Sequence, residues 1–350
     1  MEASPSPQQS NVTSYGAITV AIITLVEFPG MWINAFIVGV LCIGWVKKKT
    51  LNSNEKILLL LGCSRISFLC FTWVSHFLSI IYPNYFYGYP TLQLLTTFQT
   101  FFNYSTMSVS ACLCGFYCIK IANFRNKFFI YLKVKIDRMV PWLLLGSEIL
   151  SLAISIITYD VMETLQRNNV TFTYEENFWE ARITMDKHIF SSFFLAGFGY
   201  AVSFTAAIFS ALLLLFSLWR HKRRMQTNSM KDLSMEAHIR AMKSVLSFLV
   251  MYSINFLCLI LIIIYTTKKE NIKTLLISLY LYAFPGIHSL ILIFSNPKLE
   301  KALLKMLSSV KCKFSMSRKC DKSWSPCKML IFYCRKQVIS LLMQLSRQCR

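Results

Sequence analysis

Seven long apolar runs, separated by short polar or basic segments, set the limits on what this chain can fold into. A helix needs about 20 mostly apolar residues to cross a bilayer core. The runs at 17–46, 57–82, 92–119, 140–159, 188–219, 245–267 and 274–295 each reach that length. In hydrocarbon every backbone N–H and C=O must be satisfied within the segment, so runs of this kind become helices. The expectation is an all-α membrane protein, a seven-transmembrane helix bundle, with segments at 1–16, 17–296 and 297–350.

Composition agrees. Only 15% of the 350 residues are charged and 55% are hydrophobic, where a soluble domain carries roughly a quarter charged residues. The net charge of +21 would raise nucleic acid as a partner. The charges are grouped between apolar runs, so membrane lipid is expected as the partner and nucleic acid is not. No basic residue precedes Lys47, so the positive start of a cleavable signal peptide is missing and the first span is expected to stay.

Sidedness follows from lysine and arginine, which concentrate in cytoplasmic loops. Thirty of the 37 fall in 47–56, 120–138, 220–243 and the tail from Pro297. Six fall in the opposite loops, and Arg65 lies inside a span. An odd number of spans then puts the N-terminus outside and the C-terminus in the cytoplasm, in a multi-pass protein of the plasma membrane. Of the twelve cysteines, seven lie in spans and five in the tail, so no outer-loop disulfide is expected.

Ionisable groups inside spans are costly and are functional candidates. Glu27 lies about 30 Å above Lys47 at 1.5 Å per residue. That depth is near the outer interface, where a carboxylate costs little, and suggests an orienting role. Arg65 lies deep in the inner leaflet and needs acceptors, with Asn34 or the seventh span as candidates. It reads as a structural clamp or as a moving switch. Glu148 has no evident partner. His288 is the deep histidine of the seventh span and reads as a packing residue or a ligand.

Enzyme signatures are missing. There is no H-E-x-x-H and no G-x-S-x-G, and the seventh span has no lysine for a retinal Schiff base. No enzyme activity, cofactor or metal is expected. Cys320, Cys327 and Cys334 hint at zinc only through a spacing that fits no standard pattern. Of the Asn-x-Ser/Thr sites at Asn11, Asn103 and Asn169, Asn169 sits in mid-loop and is the best glycosylation candidate.

Several motifs occur in order along the chain. The third span exits through Lys120-Ile121-Ala122-Asn123-Phe124, continuing to Phe129-Ile130-Tyr131-Leu132-Lys133. The fifth ends in Leu215-Phe216-Ser217-Leu218-Trp219-Arg220-His221. The sixth opens with Ala237-His238 and Lys243-Ser244-Val245, and the seventh closes with His288-Ser289-Leu290-Ile291-Leu292-Ile293-Phe294-Ser295-Asn296. Together with Glu27, Asn34 and Ser64-Arg65, these resemble the bitter-taste receptors, the type 2 taste receptor family, over about residues 20–305. The sequence departs from the family at Gln99, where a Trp is common, at Ser203, where some members have Pro, and in a longer basic tail.

The resemblance implies a G-protein-coupled receptor for bitter small molecules. It further implies signalling through a gustducin-type heterotrimeric G protein to phospholipase C and calcium. Helical spacing supplies the pocket-facing candidates. Gln99, Asn103 and Thr106 share one face of the third span, Asn255 and Leu259 one face of the sixth, and Ser278 and Tyr282 one face of the seventh. The alternative for each is helix–helix bonding. Lys120, Arg125, Arg220, His221, Lys222 and His238 flank the expected G-protein cleft. A transporter or channel, and a pheromone receptor, are the rival classes.

Overall fold

The computed structural model describes residues 7–122, 126–167, 201–217, 219–220, 246, 249–258, 260–261 and 271–316. All regular structure among them is helical. The helices are α1 (Pro7–Lys48), α2 (Ser53–Ile81), the one-turn α3 (Pro83–Phe86), α4 (Thr91–Ile121) and α5 (Lys127–Arg167). They continue with α6 (Ala201–Ser217), α7 (Leu249–Cys258), α8 (Asn271–Ser295) and α9 (Pro297–Met316). Of the expected spans, α1, α4, α5 and α8 contain the first, third, fourth and seventh, and α2 covers the second up to Ile81. The described parts of the fifth and sixth are α6 and α7. The architecture is a seven-helix membrane bundle.

Helix ends follow local chemistry. Lys47 and Lys48 occupy the last turn of α1, where cations complement the helix dipole. Lys49 then takes a positive φ of 55° and stops the helix. Asn52 caps α2 in extended conformation, and its N–H donates to Glu55 Oε2 at 3.1 Å, one arm of a capping box. Pro83, which has no N–H to donate, stands just beyond the end of α2 and opens α3.

The helices turn opposite faces to lipid and to one another. Leu25, Trp32 and Trp142 are each more than 70% exposed, whereas Leu41, Leu61, Leu69 and Val109 are buried. Large exposed apolar side chains in mid-helix are what a hydrocarbon solvent allows. Within residues 1–289, a compact unit, α2 packs against α1, α4 and α5, and α4 packs along α5. Residues 290–350 form a second unit that contains α9.

One expectation changes. The segment 120–138, read as a loop, is helical from Lys127 onward, which leaves only a short connection after Ile121. Hydropathy marks where a helix leaves hydrocarbon, but not where it ends. The residues from Lys127 to Arg138 mix apolar and charged side chains without Gly or Pro, so the helix continues.

Candidate functional site

Arg65 is the largest fully buried side chain among the described residues. Its Nη1 donates to Ser289 Oγ at 2.7 Å, and Nη2 reaches Ser110 Oγ at 3.5 Å and His288 Nδ1. A guanidinium can only donate, so Nδ1 is the bare, accepting nitrogen of that ring. Ser289 Oγ donates in turn to Asn34 Oδ1 at 2.7 Å, while Asn34 Nδ2 donates to Gly30 O at 2.8 Å. One cation thereby ties α1, α2, α4 and α8 together. No carboxylate among the described residues lies within ion-pair distance of it. Neutral oxygens and one imidazole carry the solvation.

A second polar chain starts one residue earlier. Ser64 Oγ lies 2.7 Å from Ser105 Oγ, and Ser105 Oγ donates to Glu148 Oε1 at 2.7 Å. Glu148, without an evident partner in the sequence, is held by a serine of α4. Glu27 departs from expectation the other way. It is fully buried, and neither carboxyl oxygen has a hydrogen-bond partner. Distance from Lys47 says nothing of which way a side chain faces, and Glu27 faces the bundle rather than an aqueous interface.

Next to the clamp lies a cavity of about 210 Å³. Gln99, Thr100, Asn103 and Thr106 of α4 line it with Asn255 of α7 and Tyr282 of α8. Phe68, Met107, Leu281, Phe284 and Pro285 complete the apolar wall. Five of the seven pocket candidates are thus brought together. Ser278 is not in the lining; it stands one turn before Tyr282 and hydrogen-bonds toward it. Leu259 lies outside the described residues.

The polar lining is held in place. Gln99 Nε2 donates to Thr72 Oγ1 at 3.1 Å, and Tyr282 OH lies 2.7 Å from His76 Nε2. Tyr252 OH donates to Met107 O at 3.3 Å, and Asn255 Nδ2 approaches Met107 Sδ at 3.9 Å. Thr106 is buried, and its hydroxyl has no hydrogen-bond partner. Among the described residues, no charged side chain lines the space. The Phe284 ring joins the cavity to the clamp, its centroid 5.8 Å from that of His288 and 6.5 Å from that of Tyr252.

Helical spacing along one face points to the polar wall, but not to Phe284 or Phe68. An apolar residue in an apolar span carries no mark of the side it faces.

At the basic end of α4, Lys120 Nζ pairs with Asp137 Oδ2 at 2.6 Å, both half-exposed. Arg220 is helical and exposed. Arg125, His221, Lys222, His238 and Asn169 lie outside the described residues, as do Cys320, Cys327, Cys334 and Cys349.

The sequence profile of the family described as Taste receptor protein (TAS2R) matches residues 12–311. This chain belongs to that family. The receptor is 34% identical over 297 residues to Taste receptor type 2 member 7 of Macaca mulatta, covering 83% of this chain and 93% of that one. It is 34% identical over 291 residues to Taste receptor type 2 member 9 of Homo sapiens, covering 81% and 91%. Its fold is similar to that of squid rhodopsin, with a TM-score of 0.58 and 13% identity over 92% of the receptor and 90% of that chain. The receptor is therefore a multi-pass, G-protein-coupled bitter taste receptor and not an enzyme.

Proposed function

We propose that the α4–α7–α8 cavity is the agonist site and that its ligands are neutral, amphipathic bitter compounds. The observation that carries this reading is the lining itself, in which neutral polar groups converge on an apolar, aromatic-walled space. A lining without charge gives directional hydrogen bonds and burial but no ion pair, which favours neutral solutes at modest affinity. Gln99, Asn103, Thr106, Asn255 and Tyr282 are assigned to ligand contact on this reading, with Ser278 orienting Tyr282 and Leu259 expected on the same helix face as Asn255.

An agonist shifts a bundle equilibrium only as far as it binds the active arrangement better. Phe284 faces the ligand space and also touches His288, so a ligand that repositions this ring alters the packing around Arg65. Asn34, Arg65 and His288, with Glu27 on α1, form the switch region in this account. The active arrangement opens the basic end, where Lys120, Arg125, Arg220, His221, Lys222 and His238 meet the G protein. A gustducin-type partner passes the signal to phospholipase C and raises calcium.

The same reading places the receptor in the plasma membrane. Residues 1–16 and a glycosylated Asn169 lie outside, with 297–350 as a cytoplasmic tail. The test is a calcium assay in cells given the receptor and a gustducin-type chimera, challenged with a broad panel of bitter compounds. A concentration-dependent rise supports the assignment. Silence across the panel, with the receptor shown on the cell surface, refutes it.

A further inference from the structure

α5 is too long for its task as a span. Its 41 residues extend about 60 Å at 1.5 Å per residue, twice the roughly 30 Å of a bilayer core. The excess on the basic side carries an ordered face. Tyr131, Lys135, Arg138 and Trp142 follow one another at intervals of four, three and four residues, which keeps them on one side of a helix. All four are exposed, Tyr131 at 54% and Trp142 at 74%.

Their depths suit a lipid surface. With the apolar run starting at Val140, Arg138 lies about 3 Å and Lys135 about 7 Å outside hydrocarbon. The headgroup layer on each side is about 5–7 Å deep. Trp142 falls just inside the boundary, where amphipathic rings collect. The cations are also preorganised. Lys135 Nζ donates to Tyr131 OH at 2.6 Å and stands 4.4 Å from that ring's centroid. The nearest acid in sequence, Asp137, is occupied by Lys120, and Arg138 has no ion pair among the described residues.

We propose that Tyr131, Lys135, Arg138 and Trp142 of α5 form a docking site for the headgroup of an anionic phospholipid. Arg138 and Lys135 hold the phosphate, Tyr131 orients Lys135, and Trp142 packs on the upper acyl chain. The site rests on α5 crossing the membrane through the Val140 run. It does not depend on the identity of the agonist, so its failure leaves the cavity assignment standing.

The test uses the full-length receptor in nanodiscs of phosphatidylcholine doped with either phosphatidylserine or phosphatidylinositol 4,5-bisphosphate. Lipids that stay bound are counted by native mass spectrometry. The receptor is expected to retain anionic lipid over phosphatidylcholine, and Lys135→Gln/Arg138→Gln to retain about tenfold less. Lys47→Gln/Lys48→Gln removes the same charge from the same membrane face without the aromatic partners, and is expected to cost much less. Equal losses in the two double variants, or no preference for either anionic lipid, overturn the site. An unchanged melting temperature in pure phosphatidylcholine nanodiscs confirms that both variants are folded.

Discussion

Gly286 of α8 meets Gly30 of α1 so closely that a Cβ added at 286 would lie 2.9 Å from the Gly30 Cα. The obstacle is backbone and cannot rotate away. This approach brings Ser289 within reach of both Asn34 and Arg65, so the polar clamp depends on two absent side chains. Small residues at helix contacts in membranes allow this kind of packing.

Gly286→Val is expected to force α1 and α8 apart and destabilise the receptor by about 1–3 kcal/mol. Gly39→Ala, where an added Cβ meets nothing within 4 Å, is the matched control. Thermal unfolding in detergent, followed through the thiols of the seven cysteines of the spans, none in a disulfide, checks both. Similar melting temperatures for Gly286→Val and the native receptor would show that the approach carries no weight.

Ser289→Ala removes an acceptor from Arg65 and a donor from Asn34 in one step. Leaving a buried donor short of a partner costs about 1–3 kcal/mol, and more where the donor is charged, so a loss at or above the top of that range is expected here. Asn34→Ala in the Ser289→Ala background should add little, because their bond is already gone. Additive losses in that cycle would mean the two residues do not act as one unit.

Much of the bundle could be read before any coordinates, because hydropathy reports directly on the solvent a helix requires. The sequence marks Arg65 as a residue needing acceptors, since a buried guanidinium must find them; α8 supplies two directly, and Asn34 is reached only through Ser289. Glu148 could not be placed. Its partner Ser105 lies 43 residues away, and one serine in a span looks like any other. The tie of His76 to Tyr282 crosses 206 residues and leaves no local trace. The sequence does not show that Glu27 is buried in the bundle, because distance along a helix does not say which way a side chain points. The extension of α5 was missed because charge marks the membrane boundary, and the helix runs past it.

Glu148→Gln keeps an acceptor for Ser105, whereas Glu148→Leu removes it. Stability is expected to change little in the first and to fall by about 1 kcal/mol in the second. Melting temperatures of the two variants in nanodiscs decide the matter. If Leu is tolerated as well as Gln, the Ser64–Ser105–Glu148 chain is not holding α2, α4 and α5.

Phe284→Leu retains an apolar wall but gives up the ring contact with His288. The expected result is a smaller maximal calcium response with agonist occupancy nearly preserved, read by pairing the calcium assay with direct ligand binding. A loss of occupancy that fully accounts for the weaker response would assign Phe284 to binding alone.

The agonist concentration–response curve of Asn103→Ala against the native receptor tests the cavity assignment most directly. Losing one well-placed hydrogen bond of about 1.4 kcal/mol predicts a tenfold rightward shift in the calcium assay, at equal surface expression. Curves that superimpose for Asn103→Ala, and equally for Gln99→Ala and Asn255→Ala, would place the agonist somewhere other than this cavity.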